Sequence, residues 1–465
     1  MNDKKTNLTE EYFGMRGLEL MNASNAYDKK LSGKDFLIGI IDSGIQDKHP
    51  EFDGKVEKGI DLTKINFENL NIHGSHVAGI VAAKKDFEKK ERNMHGVAYC
   101  AKLMDFRIFD SAGKFYLNEN NVNELTSKII ENKIKIVNRS YGLNSWYSDG
   151  YFMFQGNIPI NTYKFLFPNT FEDYNVLAQN NSIQVWAGGN SGYKELGIES
   201  ALALLNQDIK KVWCSTVAVD KDGRESFYTN RAGKFSALNS ITSYGGGING
   251  GVNSTDNKSG YASFIGTSMA APGTTGSIAL VLEKFKDTLS NEQCLIRLFM
   301  TASYEKLSVG FHESMSGKKE IIIELLEKYQ LNPTKETFIE IKKLILGNNF
   351  EKRYPNSIGG KCFPPKKFDY YISANLLMEK LRKPYKRWNN YRETPALYIL
   401  FYIFGWGLID LEKATADITV EEINKIKNFD LQRTNESTRI KNRFIKLNKR
   451  SINKEIIKKL KWTMV

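Results

Sequence analysis

The sequence predicts an α/β fold built on a mainly parallel sheet with helices on both faces. Apolar runs of strand length alternate with stretches of helical length, an alternation typical of parallel sheets that are buried on both sides. At 465 residues with 41% hydrophobic side chains, the chain is long enough to bury a large core. The predicted strands lie at 36–41, 102–108, 134–137, 183–187 and 212–219, and the predicted helices near 71–84, 121–132, 162–180, 268–284 and 290–302.

The sequence pattern changes after residue 303. Between 304 and 403, charged and apolar residues alternate at helical spacing, as in 320–329 and 336–345. We interpret 304–403 as a helical insertion in a main domain that comprises 1–303 and resumes at 404–418. Residues 419–465 are predicted to form a basic C-terminal tail.

The tail carries most of the net positive charge of the chain. From 431 to 465, eleven Lys and Arg stand against two Glu, which gives +9 of the formal net charge of +13. Apolar residues recur at helical spacing among the lysines of 451–462, as in a basic amphipathic helix. The tail thus predicts an anionic partner, such as lipid, nucleic acid or an acidic protein. A solvated, flexible tail is the alternative.

Composition also bears on the cellular compartment. No stretch reaches the roughly 18 apolar residues of a membrane-spanning helix, and the polar N-terminal residues lack the apolar core of a secretory signal. The 4 cysteines are scattered without a Cys-x-x-Cys pair, so they do not suggest a disulfide framework. These features favour a cytoplasmic protein. A secreted protein is the alternative if the chain has been trimmed.

Three motifs carry groups with complementary chemistry. Ser268 lies in the run Gly-Thr-Ser-Met-Ala-Ala-Pro at 266–272, where small neighbours expose its hydroxyl at the start of a helix. Asp42 ends an apolar strand, and His73 opens a run of small and apolar residues suited to a helix. A serine hydroxyl becomes nucleophilic when an imidazole takes its proton, and a carboxylate holds that imidazole in the required tautomer. We therefore predict Ser268 as nucleophile, His73 as general base and Asp42 as the orienting carboxylate.

Acyl transfer needs a fourth group, because negative charge develops on the carbonyl oxygen. Asn190 follows the predicted strand at 183–187, and the glycines around it let a short amide side chain approach a substrate. We predict that the Asn190 side chain and the main-chain N–H of Ser268 donate hydrogen bonds to that oxygen.

With these groups in the order Asp, His, Ser, each inside its own flanking motif, the chain resembles subtilisin-like serine proteases of the subtilase family. The resemblance covers roughly 8–303 and resumes at 405–414. It implies the subtilisin-like three-layer fold and a catalytic role for the main domain. It also implies that Asp42, His73 and Ser268 form the triad and that Asn190 is the oxyanion asparagine.

The resemblance further implies where a peptide binds. Two sets of residues match substrate-contacting segments of the family: Ser140, Tyr141 and Gly142, and Ala187, Gly188 and Gly189. The first set matches an edge segment that pairs with the substrate backbone. The second set matches the floor of the pocket for the side chain before the scissile bond. Small residues at that floor imply a preference for bulky apolar or aromatic side chains.

No metal is assigned to the site. Residues 84–93 occupy the place of a calcium-binding loop in many relatives, but they mix lysines with acids, so this site looks lost. Glu51 stands where relatives often have an aspartate ligand, which keeps a weak calcium ion as an alternative. His73 and His76 lie three residues apart, whereas the two histidines of the zinc-binding helix motif His-Glu-x-x-His lie four residues apart. The spacing therefore argues against a zinc site at this pair.

The sequence thus predicts a serine endopeptidase that acts on protein or peptide substrates through an acyl-enzyme, without an organic cofactor. Two other classes stay open. One is a catalytically silent protein that kept the peptide groove. The other is a protein that binds nucleic acid through its basic tail.

Overall fold

A computed structural model describes residues 10–64, 70–85, 94–143, 162–310, 319–347, 371–390, 392–445 and 462–464. The strands of its central sheet are β1 (Leu37–Asp42), β2 (Val56–Asp61), β3 (Lys102–Arg107), β4 (Ile136–Arg139), β6 (Ile183–Ala187), β7 (Trp213–Val219) and β8 (Ser240–Tyr244). The shorter strands are β5 (Tyr141–Leu143), β9 (Val252–Thr255), β10 (Tyr261–Phe264), β11 (Ser308–Gly310), β12 (Tyr371–Ser373) and β13 (Trp462–Met464).

The central sheet is parallel throughout and has the order β2-β3-β1-β4-β6-β7-β8. Every residue of β7 is buried, as expected for a parallel strand that is covered on both faces. The predicted α/β class is confirmed, and the five predicted strands correspond to β1, β3, β4, β6 and β7. The outer strands β2 and β8 lack a continuous apolar run, so the sequence pattern did not reveal them.

The helices surround this sheet. The α-helices in the first part of the chain are α1 (Glu10–Gly14), α2 (Arg16–Leu20), α3 (Ala23–Tyr27), α4 (Ile72–Ala82), α5 (Val122–Glu131), α6 (Thr162–Leu166), α7 (Pro168–Gln179), α8 (Gln207–Lys211) and α9 (Gly233–Ser236). Those that follow are α10 (Thr267–Phe285), α11 (Asn291–Thr301), α12 (Lys319–Leu331), α13 (Lys335–Leu346), α14 (Ala374–Lys380), α15 (Pro395–Phe404), α16 (Leu411–Ala414) and α17 (Val420–Ile445).

Two layers of helices enclose the sheet. On one face, α10 packs across β4, β6, β7 and β8 and contacts α4 along its side. On the other face, α5 packs on α7, where Tyr174 makes edge contacts with the rings of Trp186 and Trp213 at centroid distances of 5.8 and 5.1 Å. These aromatic rings fill the space between α7 and the strands β6 and β7.

The strand order places a crevice beside β1. The chain runs from β1 to β2 and β3 on one side of β1 and then crosses to β4 on the other side. In open α/β sheets, ligands bind outside the carboxyl ends of strands at such a reversal. Asp42 ends β1 and Arg139 ends β4, so the residues that follow them lie at this crevice.

The helices after residue 318 pack against the main sheet and against each other. Helix α12 contacts α13 and α14, and α15 contacts α13 and β8. Arg231 links this region to the main domain, because its guanidinium pairs with Glu225 at 2.7 Å and donates to the carbonyls of Ile345 and Gly310. The division of the chain at 303, 404 and 419 stays a prediction.

Helix α17 covers α11, and Lys210 pairs with its Asp430 at 3.3 Å. Across the described ranges, none of the helices combines the length and apolarity that a bilayer crossing requires. The amphipathic stretch predicted at 451–462 lies outside the described residues except for Trp462, so the anionic partner of the tail stays a prediction.

Candidate active site

Asp42 and His73 meet at the carboxyl end of β1. The Nδ1 atom of His73 lies 2.7 Å from Asp42 Oδ1, and because a carboxylate only accepts, Nδ1 carries the proton and donates it. The Asp42 side chain is fully buried, whereas the His73 side chain is 15% exposed. This bond leaves His73 Nε2 as the nitrogen that can accept a proton in the neutral imidazole.

Local contacts fix the start of α4 against the end of β1. The Asn71 side chain caps the helix by accepting from the main-chain N–H of His73 at 3.0 Å. The Ser43 hydroxyl accepts from the N–H of Gly74 at 2.9 Å. A Cβ on Gly74 would lie 2.4 Å from the Gly44 carbonyl oxygen, so only glycine allows the helix to approach this closely. His73 is therefore held beside Asp42 by main-chain packing as well as by its own hydrogen bond.

Ser268 is the second residue of α10 and is bound to the end of β4. Its hydroxyl donates to the carbonyl of Ser140 at 3.0 Å, and the Ser140 hydroxyl donates to the carbonyl of Ser268 at 2.9 Å. The Ser268 carbonyl is open to this partner because Pro272, four residues later in the helix, has no N–H to offer. The proline of the 266–272 motif thus explains how α10 is joined to β4.

The register of the sheet brings Ser268 to the same edge as Asp42. Ile41 of β1 is opposite Arg139 of β4 in the parallel ladder, so Asp42 and Ser140 come next on adjacent strands. Within the described ranges, the Ser268 hydroxyl bonds to Ser140 and makes no hydrogen bond with His73. The structure thus brings Asp42 to His73 and Ser268 to the neighbouring strand end, with the hydroxyl turned towards the Ser140 carbonyl.

Asn190 is fixed by the residue that precedes Ser268. Its Oδ1 accepts from the main-chain N–H of Thr267 at 2.8 Å and from the Thr267 hydroxyl at 2.9 Å. The same hydroxyl accepts from the N–H of Gly189 at 3.0 Å. With Oδ1 committed to Thr267, the amide nitrogen of Asn190 is the end of the side chain that can donate to a ligand.

Asn230 supports the loop that carries Asn190, a role that the sequence analysis missed. Its buried Oδ1 accepts from the N–H groups of Ser191 and Tyr193, both at 3.0 Å. Gly189 has φ +108°, and a Cβ there would lie 2.4 Å from Asn230 Nδ2. Asn138 was missed in the same way: it donates to the Ser140 hydroxyl at 2.9 Å. Asn230 lies outside the recognised motifs, and Asn138 lies two residues before the predicted segment at 140–142, so no local pattern marked these hydrogen-bonding roles.

The predicted substrate segments follow β4 and end β6. Tyr141 and Gly142 belong to β5, and β5 forms a two-stranded antiparallel sheet with β13. Ala187 is the last residue of β6, and Gly188 and Gly189 follow it and lead to Asn190. A Cβ on Gly188 would lie 2.7 Å from Leu196 Cδ2, so the Leu196 side chain fills space next to this glycine. The preference for a bulky apolar side chain stays a prediction.

Two buried ionisable groups border the site. Glu199 Oε1 accepts from the N–H of Leu143 at 3.1 Å, and burial raises the pKa of Glu199 to about 8, so this carboxyl is largely protonated near neutral pH. Burial lowers the pKa of His76 to about 3, and its Nε2 is bonded to the Ala262 carbonyl at 3.0 Å. His76 is therefore a neutral residue that ties α4 to β10.

The calcium prediction is only partly covered by the described residues. Lys84 and Lys85 are described, but 86–93 lie outside the described ranges. The buried Glu51 accepts from the Tyr261 hydroxyl through Oε1 at 2.6 Å. The absence of a metal or cofactor stays a prediction.

Comparison with known proteins identifies relatives of this chain. An extracellular serine protease of Serratia marcescens is 38% identical over 134 residues, which cover 27% of this chain and 11% of that protein. A thermostable alkaline protease of Halalkalibacterium halodurans is 26% identical over 290 residues, which cover 62% of this chain and 68% of that protein. The matched segments span only 11%, 12% and 16% of three of these curated relatives.

Among the solved structures to which the chain is similar is the nisin leader peptidase of Lactococcus lactis. The superposition has a TM-score of 0.48 at 19% sequence identity and covers 64% of this chain and 92% of that structure. The profile of the subtilase family matches residues 33–324, more than half of the chain. The chain belongs to the subtilase family.

Proposed function

We propose that this protein is a serine endopeptidase that hydrolyses peptide bonds through an acyl-enzyme intermediate. Membership of the subtilase family supports a serine protease activity. The observation that carries the finer proposal is the 2.7 Å bond from His73 to Asp42 at the strand end next to Ser140, which binds Ser268. A general base with a fixed tautomer and a serine at a helix start are what acyl transfer requires.

The proposed reaction begins when a substrate carbonyl reaches Ser268. The hydroxyl turns from the Ser140 carbonyl towards His73, and its oxygen attacks the carbonyl carbon while His73 Nε2 takes the proton. Catalytic hydrogen bonds are often completed only when substrate binds, so this rotation is compatible with the observed rotamer. The imidazolium, stabilised by Asp42, gives the proton to the leaving amine as the peptide bond breaks. Water then reverses the sequence: His73 activates it, and hydrolysis of the ester frees Ser268.

Two donors stabilise the tetrahedral intermediate in this proposal. One is the amide nitrogen of Asn190, whose other end is held by Thr267, and the second is the main-chain N–H of Ser268. The N–H groups of the first turn of a helix have no partner within the helix, so the N–H of Ser268 is available. Because both donors are held before substrate binds, little reorganisation is needed when charge develops.

The substrate in this proposal is an extended peptide. It pairs with the 140–142 edge by main-chain hydrogen bonds, a mode of recognition that depends on peptide shape more than on sequence. The side chain before the scissile bond lies against residues 187–189. Two relatives from Serratia marcescens are extracellular proteases by name, and this favours the secreted alternative over a cytoplasmic location.

Labelling with a fluorophosphonate tests the proposal directly. The folded protein is expected to react at Ser268, which mass spectrometry of the labelled peptide locates, and the Ser268→Ala variant is expected not to react. Ser277→Ala, a buried serine on the same helix, is the matched control and should label as the wild type does. Failure of the folded wild-type chain to label would favour the catalytically silent peptide-binding protein.

A further inference from the structure

The segment that forms β13 occupies the edge at which a substrate is expected to bind. In the antiparallel pair of β13 and β5, Trp462 is opposite Leu143, Thr463 is opposite Gly142 and Met464 is opposite Tyr141. We propose that residues 462–464 are an internal ligand of the peptide groove and that they compete with substrate for it. This inference rests on the proposed function, because it takes β5 as the substrate-binding edge.

Hydrogen bonding at Leu143 determines how the two strands are joined. The N–H of Leu143 donates to Glu199, so it faces away from β13. Alternate residues of an antiparallel strand turn their N–H and C=O groups to opposite sides. Gly142 therefore faces β13 with both groups, and Gly142 and Thr463 form the pair that exchanges two main-chain hydrogen bonds. A substrate backbone needs these same two groups of Gly142, so the two ligands exclude each other.

The segment also comes close to the nucleophile. Met464 is opposite Tyr141, and Tyr141 follows Ser140, whose carbonyl accepts the hydroxyl of Ser268 at 3.0 Å. From Trp462 to Met464, β13 thus runs towards Ser268. An extended peptide that pairs in this direction presents its next residues to the proposed catalytic groups.

A second contact lies on the side chain of Met464. A Cβ on Gly113 would lie 3.2 Å from Met464 Cε, and the half-buried Met464 packs against the hydrophobic core. Gly113 belongs to the turn after β3, where Asp110 accepts from the N–H groups of Ala112 and Lys114 at 2.9 Å. The segment is therefore held between β5 and the turn that contains Gly113, as a bound peptide is held between two walls of a groove.

The expected strength of this competition is moderate. A ligand segment that belongs to the same chain as its binding site has an effective concentration on the order of millimolar. A short peptide held mainly by one pair of main-chain hydrogen bonds has an intrinsic affinity of similar size, so the groove is closed part of the time. For an internal competitor of this kind, we expect the apparent KM for a peptide substrate to be about two- to tenfold higher than in its absence, with kcat unchanged.

The variant Thr463→Pro removes the donor of the exchanged pair, whereas Thr463→Ser keeps it. With a fluorogenic peptide that has at least four residues before the scissile bond, we expect Thr463→Pro to lower the apparent KM about two- to tenfold at constant kcat. Thr463→Ser should match the wild type. Equal KM values for the proline variant and the wild type would overturn the inference, provided that fluorophosphonate still labels Ser268.

Hydrogen exchange gives a measurement that does not depend on activity. Two proteins are compared, both carrying Ser268→Ala: one keeps Thr463 and the other has Thr463→Pro. The amide hydrogen of Gly142 should exchange more slowly in the protein that keeps Thr463, because β13 protects it. Equal exchange in the two proteins would contradict the inference. If the wild-type chain does not react with fluorophosphonate, the proposed function fails, but the exchange experiment still decides whether β13 covers β5.

Discussion

Ser140 and Ser268 bind each other in both directions: each hydroxyl donates to the other's carbonyl, at 2.9 and 3.0 Å. The Ser140 hydroxyl acts in place of a helix N–H, because Pro272 cannot donate to the Ser268 carbonyl. Ser268, the proposed nucleophile, is thus attached to the proposed substrate-binding edge as well as to its own helix. This relationship predicts an energetic coupling between Ser140 and Pro272.

Ser140→Ala should lower the free energy of unfolding by about 1–3 kcal/mol, because it leaves the buried Ser268 carbonyl without a partner. Pro272→Ala gives the helix an N–H that can reach this carbonyl. In the Pro272→Ala background, Ser140→Ala should therefore cost about 1 kcal/mol less. Urea unfolding of the four proteins measures the difference.

Ser277→Ala is the control for this cycle. The Ser277 hydroxyl donates to the Gly273 carbonyl at 2.8 Å on the same helix, and no proline removes the helix donor there. Its cost should be the same with and without Pro272. If Ser140→Ala lowers the free energy of unfolding by equal amounts in the two backgrounds, the Ser140 hydroxyl does not substitute for the helix N–H that Pro272 lacks.

Asn190→Asp tests the oxyanion donor with little change in shape. The aspartate keeps an acceptor for Thr267 but loses the amide donor and adds a negative charge. We expect kcat to fall at least about 10²–10³-fold, the loss known for an oxyanion asparagine in subtilisin, with KM and thermal unfolding little changed. The same substitution at the exposed Asn180 should leave kcat unaltered. A decrease in kcat of less than tenfold for Asn190→Asp would remove Asn190 from the proposed mechanism.

Asp42→Asn tests the tautomer of His73. An amide in place of the carboxylate can donate to Nδ1, which moves the imidazole proton to Nε2 and leaves no base for Ser268. We expect kcat to fall about 10⁴-fold, the size known for this change in a chymotrypsin-type triad. Groups that act as a unit are not additive, so Asp42→Asn should have little further effect in a His73→Ala background. Additive losses would contradict the proposed roles.

Glu199 predicts how stability depends on pH. Burial raises its pKa in the folded state to about 8, above the ordinary value of 4.5, so the folded state binds more protons than the unfolded state between these pH values. This stabilising contribution is complete below about pH 4.5 and is lost as the pH rises towards 8. The full loss would be on the order of 5 kcal/mol.

Glu199→Gln keeps an acceptor for Leu143 and removes the titration. Urea unfolding at a series of pH values from roughly 5 to 9 measures this difference. As the pH rises, the free energy of unfolding should decrease less for Glu199→Gln than for the wild type. Glu124→Gln, on the exposed side of α5, should keep the wild-type slope. Identical slopes for Glu199→Gln and the wild type would show that Glu199 does not titrate in this range.

The predicted strands and helices of the main domain came from local periodicity, and those elements were predicted to within a few residues. The strand β8 was not predicted because its sequence, Ser-Ile-Thr-Ser-Tyr, is polar, although the strand is fully buried. Its polar groups find partners far along the chain: the Thr242 hydroxyl donates to the Phe404 carbonyl at 2.9 Å. Such long-range partners leave no trace in a local pattern.

The sequence by itself determined which chemical groups the chain carries and in which order, because each lies in a short motif of small residues, and it determined the alternation that builds a parallel sheet. The tertiary structure alone decided which groups meet. The pairing of Asp42 with His73, the attachment of Ser268 to Ser140 and the position of β13 on β5 join residues that are far apart in sequence. Such contacts depend on strand order and register, which arise from packing of the whole sheet rather than from any local run of residues.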